Sequence, residues 1–196
     1  MNPYKSDLLT RIVLVVAVSL GALLQGCASN PDEARGRSLG TMVDDQGIEF
    51  SVSDAIQKTN PYLRDAHIVV TSYNGSVLLT GQVPNAELRQ QAAQAASVQD
   101  NVRRVYNELT IAPNATFSMR ASDSLLTTKV KSQLWAQESI KDSKIKIITE
   151  SGTVFLLGIV NREQADMAGQ VAQGISGVQK VVRLFEIIGE DAQSAP

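Results

Sequence analysis

The sequence predicts an α+β fold made of two similar copies of one small domain. The segments "NGSVLLTGQV" (74–83) and "SGTVFLLGIV" (151–160) share the pattern Gly-x-Val-x-Leu-x-Gly-x-Val at an offset of 77 positions. Similarity of this kind, continued in the flanking segments, indicates a duplicated structural unit. In each copy, helical and alternating strand-like segments follow one another in the order α-β-β-α-β.

The first helix of each copy is predicted at 45–59 and at 123–137. In the first copy, three acidic residues stand at or near the start of this helix: Asp44, Asp45 and Glu49. Acidic side chains in such positions commonly cap a helix or interact favourably with its dipole. We therefore expect a structural role for these carboxylates.

The hairpins are predicted from their turns, Asn74-Gly75 and Ser151-Gly152, each of which lies between two alternating segments. A tight hairpin needs turn residues that tolerate positive φ, and Asn and Gly do. A second, Ala-rich helix follows at 86–97 and 162–176, and a third strand at 102–111 and 178–188. Asn161 and Gln164 are spaced as a capping box for the later helix.

The motif residues are interpreted as structural. Alternation puts one set of apolar side chains on a single strand face, which we expect to pack beneath the helices: Val77, Leu79, Val154 and Leu156. Gly81 and Gly158 are predicted at points where another segment approaches closely, since glycine has no Cβ.

The element order and the glycine-valine hairpin resemble the BON domain, a bacterial periplasmic module associated with phospholipid membranes. The resemblance implies that each copy packs its helices on one face of a small mixed three-stranded sheet. It covers both repeats, and the predicted boundaries are domain 1 at 44–112, a linker at 113–121, and domain 2 at 122–189. The small, acidic end of the chain (190–196) is predicted to be a disordered tail.

The N-terminal segment carries the only cysteine, Cys27, after an apolar run at 12–24. This run is shorter than the roughly 20 residues that a membrane-spanning helix needs. The segment resembles a bacterial lipoprotein signal, which implies a signal peptide at 1–26 and acylation of Cys27. Ala28, rather than Asp, follows the cysteine, which implies sorting to the outer membrane. The alternative is a buried free cysteine in an ordinary signal anchor.

Between Cys27 and the first domain, residues 27–43 are rich in Ala, Ser, Gly, Pro and charged residues, without apolar periodicity. Such a composition is typical of a flexible tether. With the lipoprotein signal and the tether in front, the chain resembles the dual-BON outer-membrane lipoproteins. The resemblance implies attachment at the periplasmic face, a role in envelope integrity, and a link to the division site.

The composition and motifs favour neither an enzyme nor a nucleic-acid-binding protein. The single histidine, His67, begins a strand and is interpreted as a partly exposed structural residue. No combination of residues suggests a metal site, a cofactor site or a nucleophilic triad. The net charge is −2 and no basic run is long enough to follow phosphates, so we expect no nucleic-acid partner.

The two copies differ in charge. Residues 32–116 contain seven basic and ten acidic residues, whereas residues 117–188 contain nine basic and seven acidic ones. Five lysines lie in the first half of the second copy: Lys129, Lys131, Lys141, Lys144 and Lys146. A basic domain beside an acidic one suggests that the second copy meets an anionic surface.

A helical projection of the first helix of domain 2 puts Leu126, Val130 and Leu134 on the core stripe. Leu125 and Trp135 then fall on the opposite face. Tryptophan favours the membrane interface, and lysines attract anionic headgroups. The resemblance points to the same helix as the phospholipid-binding element, so the predicted lipid-binding residues are Leu125, Thr128, Lys129, Lys131, Ser132 and Trp135.

The sequence therefore favours a non-enzymatic lipoprotein that binds anionic phospholipid through domain 2. The alternative is a protein-interaction adaptor for outer-membrane assembly or for proteins that regulate cell-wall hydrolases. In that alternative, Trp135 packs against protein, either the first copy or a partner, and the lysines are merely solvated.

Overall fold

The computed structural model describes residues 39–140 and 144–188. Domain 1 consists, in chain order, of α1 (Leu39–Thr59), α2 (Pro61–Asp65), β1 (His67–Tyr73), β2 (Ser76–Val83), α3 (Ala86–Ser97), β3 (Arg104–Asn107) and β4 (Thr110–Ile111). Domain 2 consists of α4 (Phe117–Trp135), β5 (Lys146–Glu150), β6 (Thr153–Val160), α5 (Arg162–Gln173) and β7 (Lys180–Ile187). The α+β class and the duplicated element order are confirmed.

Each domain contains a small mixed sheet with the second strand at its centre. In domain 1, β2 pairs antiparallel with β1 and parallel with β3 and β4. In domain 2, β6 pairs antiparallel with β5 and parallel with β7. The helices of each domain cover one face of its sheet, as the resemblance implied.

The first helix of each domain is fixed by an apolar stripe at i, i+4, i+8. Ile48, Val52 and Ile56 of α1 are at most 5% exposed, and Leu126, Val130 and Leu134 of α4 are at most 8% exposed. Val77 and Leu79 join the core of domain 1, and Val154 and Leu156 join that of domain 2. The predicted core face of the hairpins is therefore confirmed.

Both first helices begin six residues earlier than predicted, at Leu39 and at Phe117. Residues 39–43, assigned to the tether, and 117–121, assigned to the linker, are therefore helical. The early turns of α4 are rich in serine and lack apolar periodicity, so the pattern there is uninformative. Thr116 marks the start of the helix, because its hydroxyl is the N-cap and accepts a hydrogen bond from Met119 N at 3.3 Å.

The structure also differs from the predicted elements in one helix end, in one additional helix and in one interrupted strand. Helix α5 ends at Gln173 rather than 176, and a short extra helix, α2, follows Asn60, whose side chain accepts from Tyr62 N. The third strand of domain 1 is broken between β3 and β4, where Leu109 turns into the core and is 3% exposed. The burial of that side chain interrupts the strand alternation.

The acidic residues near the start of α1 do not cap the helix, but the structural role expected of them is confirmed for Asp45. Asp45 is buried, and it accepts hydrogen bonds from Asn74 N at 2.9 Å and Gly75 N at 3.0 Å. Asp123 likewise accepts hydrogen bonds from Ser151 N at 2.8 Å and from Gly152 N at 3.0 Å. A carboxylate from the first helix thus satisfies the backbone donors of the hairpin turn in both domains.

The two motif glycines differ in how tightly they are packed. At Gly81, φ is +112° and an added Cβ would lie 1.9 Å from the carbonyl oxygen of His67, so the predicted close approach is confirmed. At Gly158, the nearest atoms to an added Cβ are 3.5 Å away, which is ordinary van der Waals contact. The prediction is wrong at that position.

The two domains pack through the faces of their sheets that the helices leave uncovered. Tyr73 and Leu78 of domain 1 and Phe155 and Leu157 of domain 2 form one apolar cluster, and each is at most 4% exposed. Every residue of β2 is buried, because one face lies against the helices and the other against domain 2. Both domains belong to one compact unit.

Polar contacts surround this apolar interface. Lys146 Nζ lies 2.6 Å from Glu49 Oε1, and Tyr73 Oη donates to Lys144 O at 2.8 Å. Gln82 Nε2 donates to Glu150 Oε1 at 2.7 Å. Half-buried contacts of this kind add little net stability, so the apolar cluster is the main source of the packing energy.

We expect the apolar cluster between the domains to stabilise the whole molecule. Phe155→Ala should lower the free energy of unfolding by about 3–5 kcal/mol, since it leaves a cavity between the sheets. The matched control is Ile159→Ala, which lies on the same strand but is 36% exposed and should cost clearly less. Urea denaturation measures both, and equal losses would mean that the packing between the domains contributes little.

Candidate functional site

Several predicted features lie outside the described residues. These are Cys27 with the signal peptide (1–26), most of the tether, Lys141, and the tail at 190–196. The predicted lipid-binding residues, in contrast, all lie on the described helix α4.

Helix α4 has one face in the core and an opposite face in solvent. Leu126, Val130 and Leu134 are buried, whereas Leu125 is 67% and Trp135 59% exposed. Both exposed side chains are large and apolar, so they are not accounted for by folding. The structure therefore places the two predicted anchors where the helical projection put them.

The polar residues of the predicted site border these anchors. Thr128, Lys131, Ser132 and Trp135 line one shallow groove on α4. Lys129 and Leu125 border a separate cleft on the flank of the same helix. The helix thus brings all six predicted residues together, in two neighbouring depressions.

The two lysines of the site carry charge that no side chain in the described part of the chain neutralises. Within residues 39–140 and 144–188, neither Lys129 nor Lys131 forms an ion pair or a hydrogen bond through its side chain. On the equivalent helix α1, by comparison, Lys58 Nζ lies 2.7 Å from Asp54. The position of Asp54 corresponds to Ser132 in α4, so the second copy lacks that carboxylate.

Sequence reasoning missed Phe117, which is 80% exposed. At 100° per residue, Phe117 and Trp135 are 18 positions apart and lie on the same line along the helix, separated by about 27 Å. The predicted helix began at 123 and excluded this residue. The signal that could have found it is the capping residue Thr116 directly before it.

The interpretation in which Trp135 packs against domain 1 is wrong. The interface between the domains is formed by the sheet faces, and Trp135 remains 59% exposed. His67, unlike Trp135, contacts the other domain, because its Nε2 lies 3.6 Å from Glu150 Oε2. His67 is therefore a half-buried structural residue at the edge of the interface.

The equivalent face of α1 carries a different surface. Aligning the buried stripes of the two helices places Gly47, Phe50, Asp54 and Gln57 opposite Leu125, Thr128, Ser132 and Trp135. Phe50 is 77% exposed, but the nearest lysine on that face, Lys58, is neutralised. Of these two described helix faces, that of α4 is therefore the cationic one.

The described residues contain neither a membrane-crossing helix nor a grouping of acidic, histidine or cysteine side chains suited to a metal ion. Among their titratable groups, the pKa of Arg104 is raised because its guanidinium hydrogen-bonds the Tyr106 hydroxyl at 3.0 Å. Arg104 belongs to β3 in domain 1, so this shift does not concern α4.

Comparison with known proteins gives consistent matches along the chain. The BON domain family model matches residues 44–113 and 122–189. Outer membrane lipoprotein DolP of Haemophilus influenzae is 39% identical over 189 residues, covering 88% of this chain and 95% of that protein. The 21 kDa hemolysin of Actinobacillus pleuropneumoniae is 37% identical over 78% of each chain. Osmotically-inducible protein Y of Escherichia coli K12 is 26% identical, covering 90% of this chain and 92% of that protein.

The environment of Trp135 predicts its response to quenchers. It is the only tryptophan and is more than half exposed, and Lys131 lines the same groove. Iodide should therefore quench its fluorescence more efficiently than caesium, and added salt should reduce the difference because it screens the lysine. Lys131→Gln serves as the control and should narrow the gap. Weak quenching by both ions would indicate a buried indole and contradict this account.

Proposed function

Because this chain belongs to the family of BON-domain outer-membrane lipoproteins, we propose that it binds the anionic phospholipid surface through helix α4 of domain 2. Family membership places it among non-enzymatic proteins. The observation that carries the proposal is the face of α4. On it, exposed apolar side chains stand beside two lysines that have no ion-pair partner among the described residues. The lipid at Cys27 holds the protein at the outer membrane, and α4 sets how the folded part meets that surface.

Three apolar side chains define how the helix would lie on the membrane. Phe117, Leu125 and Trp135 follow the outward face along the full length of α4. A helix with such a face lies parallel to the surface, with its apolar side chains at the boundary between headgroups and acyl chains. Tryptophan is well suited to this depth because its ring is apolar while its N–H stays hydrated.

The lysines supply the preference for negative charge. A lysine near an anionic surface contributes about 1 kcal/mol, which corresponds to roughly fivefold in affinity. Lys129 and Lys131 lie on either side of the apolar line, so both amines reach headgroup level when that line faces the membrane. Binding should therefore weaken with salt, as expected for exposed charges.

A docking role for domain 1 is the second candidate function. Val43 is 67% and Phe50 77% exposed, and they lie two turns apart on α1. This apolar strip, in the more acidic half of the chain, suits a protein better than an anionic membrane. Envelope-assembly or cell-wall-remodelling proteins are the partners that the family resemblance suggests. Membrane binding and docking together would support envelope integrity, including at the division site.

Leu125→Glu tests the membrane proposal. In residues 28–196, which include the whole compact unit from residue 37, the variant should bind vesicles of anionic phospholipid about 10–100 times more weakly, because a carboxylate replaces an inserted apolar side chain. Vesicle co-sedimentation measures the affinity. Lys129→Gln and Lys131→Gln should each cost about fivefold.

The matched control is Phe50→Glu, which makes the same kind of change on the equivalent face of α1. It should leave vesicle binding unchanged and should instead weaken the binding of any partner that docks on domain 1. If Phe50→Glu and Leu125→Glu weaken vesicle binding equally, the assignment of lipid binding to α4 is wrong.

A further inference from the structure

The outer edge of the domain 2 sheet is open along β7. The strand order is β5-β6-β7, so among the described residues β7 has a hydrogen-bonded neighbour on one side only. Ile188 N donates to Val160 O, and in a parallel ladder every second residue bonds to the neighbouring strand. Val182, Leu184 and Glu186 therefore bond to β6. The backbone groups of the alternate residues point outward: Val181, Arg183, Phe185 and Ile187.

This outward row of backbone groups has no partner in the described part of the chain. Within residues 39–140 and 144–188, neither a side chain nor another strand hydrogen-bonds to it. The strand is eight residues long and unbroken. Such a row of free N–H and C=O groups is a template for pairing with a further strand, and proteins commonly block it.

The first copy does block the corresponding edge. Its third strand is divided into β3, of four residues, and β4, of two, where Leu109 turns into the core. The outward carbonyl of Asn107, at the end of β3, is occupied, because Arg89 Nη2 donates to it at 2.8 Å. A long open edge is therefore not a requirement of the fold and is particular to the second copy.

The side chains along β7 indicate what kind of strand would fit. Val181 and Phe185 lie at the margin of the domain 2 core, and Val182 and Leu184 at the margin of the apolar cluster between the domains. All four are only half-buried. An added strand would cover both margins and so extend the existing packing between the sheets. The occupant that suits this edge is an extended polypeptide with apolar side chains on both faces.

Other segments of this protein suit the edge less well. Antiparallel pairing of two β7 strands along 181–187 would set Arg183 opposite Phe185 and Glu186 opposite Val182, so charged side chains would face apolar ones. The segments 28–38 and 189–196 are rich in polar and small residues and lack an apolar pattern. These features favour a strand from a different protein.

We propose that β7 accepts an extended apolar segment of another protein as a further strand of the domain 2 sheet. The proposal is independent of membrane binding, because α4 packs over β5, at the opposite edge of the same sheet. A partner on β7 and a membrane on α4 would therefore not compete for one surface.

The test uses hydrogen exchange in ¹⁵N-labelled residues 28–196. The probe is a peptide with the β6 sequence (153–160), which is apolar on both faces, with two glutamates added at each end for solubility. In the free protein, the amides of Val181, Arg183 and Phe185 should exchange quickly and those of Val182 and Leu184 slowly. The peptide should slow the first set about tenfold, as expected when each amide gains a backbone hydrogen bond. A control peptide with proline in place of Leu156 should not.

Arg183→Pro tests the edge directly. It removes one outward N–H at a position where an edge strand tolerates proline, and it should weaken peptide binding about tenfold or more. Arg183→Ala is the matched control, because it removes the same ion pair with Asp166 but keeps the N–H, and it should bind like wild type. If Arg183→Pro does not fold, the exchange pattern of wild type decides.

Unchanged exchange at Val181, Arg183 and Phe185 in the presence of the peptide would overturn the proposal, and so would equal slowing by the proline peptide. Slow exchange of these amides before any peptide is added would also overturn it. Sedimentation as a dimer would then assign the edge to a second copy, and sedimentation as a monomer to a segment of the same chain. None of these outcomes bears on the membrane proposal for α4.

Discussion

The packing of one sheet against the other decides which surfaces of this protein remain free. Tyr73 and Leu78 meet Phe155 and Leu157, and the central strand β2 is buried along its whole length as a result. Each sheet thereby has helices on one side and the other domain on the opposite side. Apart from the sheet edges, the surfaces left for a partner are the outer faces of the helices, and in domain 2 this is the face of α4 that carries Leu125 and Trp135.

Duplication has kept the core and changed the surface. The buried stripes of α1 and α4 match position by position, and Asp45 and Asp123 hold the hairpin turns in the same way. The outward faces share no such constraint, because surface substitutions away from special features change stability little. Asp54 neutralises Lys58 in the first copy, whereas the second copy has Ser132 at that position, and Lys129 and Lys131 of α4 have no ion-pair partner among the described residues. One fold thus offers two chemically different helix faces.

The sequence was sufficient for the elements whose side chains repeat with a clear period. The core stripe of α4, the exposed Leu125 and Trp135, and the paired hairpins could all be predicted for this reason. The start of α4 could not be predicted, because its serine-rich first turns show no apolar period. Phe117, which lies in these turns, was missed for the same reason. The role of Asp123 and the cleft on the flank of α4 depend on segments far apart in the chain. The face between the domains was hidden because on β2 it carries the polar residues Ser76, Thr80 and Gln82 beside Leu78, an alternation typical of a solvent-facing side, although the whole strand is buried.

The central claim is that α4 itself touches an anionic bilayer, beyond the attachment that a lipoprotein anchor provides. The most direct measurement uses the lipidated protein in vesicles whose phospholipids are brominated near the headgroup end of the acyl chains, with Trp135 fluorescence as the readout. The lipid anchor keeps the protein on every vesicle, so differences report the helix alone. The account predicts strong quenching of Trp135 in phosphatidylglycerol vesicles and weak quenching in phosphatidylcholine vesicles. Equally weak quenching in both would mean that α4 stays off the membrane, and would contradict the account.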